Sequence, residues 1–123
     1  MSNHRNTPLY KATVQLTAMI VNVTRKADRG YRFTIGEEMI RTASYLTMDF
    51  YRAYNEKDKV QRITLINEFI THLEQLREWL DVAHELGFFN FKSYPQVAEQ
   101  YASIERQVNG WLNGTAKVTV TKR

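Results

Sequence analysis

KVQRITLINEFITHLEQLREWLDVAHEL, residues 59–86, followed by Gly87, sets the architecture of this chain. Apolar side chains recur through it every three or four positions, the period of an α-helix rather than of a strand. The spacing predicts one long helix from about Lys59 to Leu86, with Gly87 as its left-handed cap. Its apolar surface is broad. Ile63, Leu65, Ile66, Phe69, Ile70, Leu73, Leu76, Trp79, Leu80 and Ala83 cover roughly 200° of a helical wheel, about twice what a one-sided helix needs. The surplus side, with Leu65, Phe69, Leu76 and Trp79, is expected to meet a second subunit, because a monomer rarely leaves such a patch in water. The competing reading is a helix buried centrally within its own domain.

Three further segments carry the same period. Thr7 as N-cap and Pro8 at the first helical position open one, striped by Leu9, Ala12, Leu16, Met19 and Val23. Thr34 with Glu37 has capping-box spacing and opens the next, lined by Ile35, Met39, Ala43, Leu46, Phe50 and Ala53. On its outer face Arg41 and Arg52 have ion-pair spacing to Glu37 and Glu56. Ser93 with Gln96 opens the last, striped by Tyr94, Val97, Tyr101, Ile104, Val108 and Trp111 and ending near Gly114. The expected fold is all-α: an antiparallel up-and-down four-helix bundle in one domain, residues 1–123, with a basic tail from about 114 to 123. That tail is expected to be either disordered or a short strand added to a partner.

Composition narrows the function. The chain has 123 residues, 43% hydrophobic and 24% charged, which suits one globular domain. It has no cysteine, which removes disulfides and thiolate metal sites and points to the reducing cytoplasm. Apolar runs are short and the N-terminus is polar, so neither a membrane span nor a signal peptide is expected. The net charge of +4 is unevenly spread, with six Lys/Arg in residues 1–36 against Asp28 alone. Arg25, Lys26, Arg29 and Arg32 cluster in one connection and form the candidate phosphate contacts, with Arg41, Lys117, Lys122 and Arg123 as weaker ones. The bland reading of that cluster is a solvated loop.

Catalytic chemistry is hard to find. His72 and His84 lie too far apart on one helix to share a metal, and the glycines at 30, 36, 87, 110 and 114 form no phosphate loop. Arg77, Asp81 and His84 flank the apolar arc, and a network fixing register explains them better than an active site. Phe88, Phe89 and Phe91 crowd one corner, where closing the bundle end is the expected role and base stacking the alternative; no arginine lies nearby in sequence. The expectation is a protein that is not an enzyme and needs no metal or cofactor.

Several of these residues together resemble a known family. Arg32, Phe33, Thr34, Ile35, Gly36 and Glu37 opening a helix, Leu76, Arg77, Leu80, Ala83, Leu86 and Gly87 on the long one, and a closing Asn109, Gly110, Trp111 resemble the Avd-like proteins. These are accessory variability determinants of diversity-generating retroelements, related to four-helix-bundle proteins encoded in intervening sequences of bacterial 23S ribosomal RNA genes. The resemblance runs from about Tyr10 to Leu112. Ala53, Tyr54 and Asn55 depart from the Ala-Glu-Gly ending of the intervening-sequence branch, which favours the Avd side. The resemblance implies a homopentameric barrel with a basic surface, which binds RNA or DNA and docks the reverse transcriptase that performs the chemistry. The alternative it leaves is an intervening-sequence-type bundle acting as a structural or interaction module.

Overall fold

The structure, a computed structural model, describes residues 3–121. Four long helices carry it: α1 (Pro8–Lys26), α2 (Glu37–Asn55), α3 (Lys59–Glu85) and α4 (Ser93–Thr121), with no strand among the described residues. Each helix packs on its sequence neighbours, and α4 closes back on α1, giving an up-and-down bundle of square section.

The local chemistry explains the boundaries. Thr7 Oγ1 accepts from the Tyr10 N–H at 3.2 Å, and Pro8 follows it, so α1 starts where one orphan donor is satisfied and one is missing. Asp58 Oδ2 does the same for the Gln61 N–H at 3.0 Å and opens α3. Gly87 has φ +76°, and the Phe88 and Gly87 N–H groups return to the Ala83 and His84 carbonyls at 2.9 and 3.1 Å. That is a Schellman ending, whose left-handed residue favours glycine.

The helix entering α2 corrects the sequence reading. Thr34 and Glu37 form no capping box: a helical turn at Arg29–Tyr31 runs into a π-helical turn at Arg32–Gly36, and this into α2. The Thr34 hydroxyl donates backwards to the Gly30 carbonyl at 2.9 Å, a mid-helix habit of threonine. Gly36 is buried there, and a Cβ on it would fall 2.5 Å from Thr24 Cγ2, so α1 and the π turn approach more closely than alanine allows.

Two other boundaries differ. The corner before α4 is held by Asn90, whose Oδ1 accepts from the Lys92 and Ser93 N–H groups at 2.9 and 2.7 Å, in place of a Ser93–Gln96 box. Helix α4 does not stop at Gly114 but continues to Thr121, so the expected disordered or strand-like tail is helix up to that residue. Gly110 and Gly114 have open space around them, and neither enforces a stop.

One apolar core fills the bundle, with Leu16, Ile20, Met39, Leu46, Ile66, Phe69, Leu76 and Ile104 fully enclosed. This corrects the interface expectation for α3 at Phe69 and Leu76. Phe69 and Leu76 are 0% exposed inside a single chain, and Leu65 and Trp79 are partly buried against the same core. The reason is geometric: in a square bundle each helix faces two neighbours, so a broad apolar arc on α3 is covered by α2 on one side and α4 on the other. Side-chain links tie the seams. Tyr101 Oη donates to the Leu73 carbonyl at 2.9 Å between α4 and α3, and Gln100 Nε2 donates to the Ala12 carbonyl at 3.0 Å between α4 and α1.

Candidate nucleic-acid interface

The α1–α2 connection gathers the basic residues. Helix α1 ends at Lys26, Ala27 and Asp28 are extended, and the Asp28 carbonyl accepts from the Tyr31 and Arg32 N–H groups at 3.0 and 3.1 Å to restart the helix. Arg25 and Lys26 therefore occupy the last turn of α1, where cations also complement the carbonyl end of the helix dipole. Arg29 and Arg32 follow three residues apart, on one side of the next turn.

Arg25, Lys26 and Arg29 are exposed and Arg32 is half-buried. Among the described residues none of the four forms an ion pair. Arg25 Nη2 donates to the Asn22 side-chain carbonyl at 3.1 Å, a neutral partner that leaves the charge in place. Arg32 Nε is shut off from solvent without a hydrogen-bond partner, so its terminal nitrogens are the ones able to meet a ligand.

The weaker candidates are distributed differently. Arg41 Nη1 meets Glu38 Oε1 at 2.6 Å, one residue from the expected Glu37, and its charge is locally balanced. Arg52 lies 3.7 Å from Glu68 on α3 rather than beside Glu56. Lys117 is exposed near the C-terminal end of α4, where Gly114 and Thr115 flank Lys59 at the start of α3. It is thus at the opposite end of the bundle from Arg25. Lys122 and Arg123 lie outside the described residues.

The fold joins two features the sequence keeps apart. Lys26, Ala27, Asp28 and Tyr31 face Gly87, Phe88, Phe89 and Asn90 across a cleft of about 460 Å³, roofed by Met19 and Val23 of α1 and Ser93, Gln96 and Val97 of α4. Lys26 thus stands beside the aromatic corner, where the sequence itself places Lys92 but no arginine. Phe88 and Phe89 are buried and close the bundle end as expected, whereas Phe91 is 88% exposed. The signal for this meeting was topological: the up-and-down order brings the end of α3 back to the end of α1.

The other polar constellations are scattered or internal. Arg77 Nη1 sits 3.9 Å from Glu105 Oε2 rather than pairing with Asp81, and His84 stacks on Tyr94 with ring centroids 3.6 Å apart. Arg77 and Asp81 share a shallow groove of about 180 Å³ from which His84 is absent. Among the described residues no group of three metal-ligating side chains converges. No described helix is long and apolar enough to cross a membrane. Asp49, 6% exposed, hydrogen-bonds His72 at 2.5 Å; burial holds its carboxyl above the ordinary value, and the His72 contact works against that. Sequence reasoning missed Asp49. Its signal was a polar residue three positions after Leu46 and four before Ala53, on the core face of α2.

A family model described as bAvd-like matches residues 9–115. No curated protein matches the chain.

Proposed function

The chain belongs to the bAvd-like family, and from that premise we propose that it is a non-catalytic accessory protein of a diversity-generating retroelement. In this reading it works in the cytoplasm, binds template RNA or cDNA, and holds a reverse transcriptase to it during mutagenic retrohoming. The observation that carries the nucleic-acid part is the set of four cations at one end of the bundle, Arg25, Lys26, Arg29 and Arg32, which form no ion pair among the described residues. Phosphate neutralisation by such a set dominates affinity for nucleic acid and is independent of base sequence.

Assembly as a homopentamer is part of the same proposal and rests on the family resemblance. Five copies of the cationic end would multiply a modest field. Because Phe69 and Leu76 are enclosed, an interface would draw on exposed apolar side chains elsewhere, such as Tyr45, Met48 and Tyr51 on the outer side of α2.

The test is filter retention of labelled RNA by the wild type and by Arg25→Glu, Lys26→Glu, Arg29→Glu combined. Retention should be abolished by the triple reversal. Equal retention by both proteins would remove the assignment of this site.

A further inference from the structure

We propose that the cleft between the α1–α2 connection and the α3–α4 corner takes one unstacked base of a single strand, while Arg25, Lys26 and Arg29 hold the flanking phosphates. This rests on the nucleic-acid reading above and adds to it a binding mode, a base-sized site beside a charged lip.

The size fits. A cleft of about 460 Å³ lies toward the lower end of the range for small-molecule pockets and admits one nucleoside, not a duplex. Its walls supply the apolar surface a base face needs, from Val23, Phe88, Phe89 and Val97. Its rim supplies edge chemistry. Asn90 Oδ1 and Asn22 Oδ1 are already engaged by the corner and by Arg25, which leaves their amide N–H groups as donors. Gln96 is an exposed lining residue, and its amide offers both a donor and an acceptor to a base edge. The one acid in the lining, Asp28, is outnumbered by the cations around it and can accept from a base amino group or a ribose hydroxyl. Phe91, 88% exposed next to Asn90, presents a ring at the same corner for a neighbouring base.

A site for bases and a site for charge alone make different demands. Backbone attraction treats a strand with bases and one without them alike, whereas an occupied cleft gains a stacking increment of about tenfold in affinity. The experiment measures, at one salt concentration, binding of a short single-stranded DNA, an abasic oligomer of equal charge and the corresponding duplex. The wild type should bind the base-bearing strand about tenfold tighter than the abasic oligomer. Gln96→Leu, at an exposed rim position away from the Asn22–Arg25 hydrogen bond, should narrow that gap and leave abasic affinity unchanged. Equal affinity of the wild type for the two single strands overturns this inference and leaves the charge-based reading standing, with no variant needed. Loss of binding to all three probes overturns both. Saturable binding of free adenosine monophosphate without a strand preference makes the cleft a mononucleotide site and overturns the strand proposal.

Discussion

Asp49 Oδ2 on α2 and His72 Nδ1 on α3 lie 2.5 Å apart in a hydrogen bond that crosses the seam between the two helices, with the Tyr45 ring 5.0 Å from the imidazole. It places an ionisable carboxyl, 6% exposed, at the edge of the apolar core. Arg52 and Glu68 are the other charged groups acting on it.

This pair makes stability depend on pH in a definite direction. Burial is the largest influence on Asp49 and raises its pKa above 3.8, with His72 opposing. Protonation is therefore easier in the folded chain, so the Asp49 contribution is most stabilising below about pH 3.8 and is lost as pH rises through the raised value. Asp49→Asn keeps the shape and cannot ionise. In a His72→Gln background, which takes the imidazole charge out of the comparison, aspartate should lose stability relative to asparagine as pH rises from below 3.8 to neutral. Urea midpoints across that range check this, and a difference independent of pH would contradict it.

Gly36 should not tolerate a side chain while Thr24 is opposite. Gly36→Ala sets a methyl 2.5 Å from Thr24 Cγ2 and should cost about 1–3 kcal/mol, as overpacking does. Adding Thr24→Ser removes that methyl and should recover part of the loss, although the Tyr31 carbonyl remains 3.2 Å from the new Cβ. Chemical denaturation of the two single variants and the double gives the coupling.

Tyr101 should act as a structural clasp. Its buried hydroxyl donates to the Leu73 carbonyl, and burial also pushes its ionisation upward, so it stays protonated. Tyr101→Phe should lower unfolding free energy by about 1 kcal/mol with the fold intact. Helicity measured by circular dichroism and the urea midpoint test both halves of that statement.

The four-helix plan was legible because local and global signals agree at particular residues. Thr7 and Pro8 start α1 and Gly87 ends α3 where propensity places them, since those chemistries act within one turn. The Thr34–Glu37 spacing misled because helical residues upstream already satisfied the donors that a capping box would have served. Phe69 and Leu76 read as surplus because a wheel shows one helix and not its two neighbours. The cleft was invisible for the same reason. Lys26 and Phe88 are 62 positions apart in sequence and meet only once the bundle closes.

The cationic end is tested most directly by the salt dependence of single-strand affinity, measured for the wild type and for Arg25→Ala, Lys26→Ala, Arg29→Ala combined. If the three side chains each neutralise a phosphate, the slope of log affinity against log salt should become shallower by about 2, with affinity falling at every salt concentration. An unchanged slope and affinity would contradict the account.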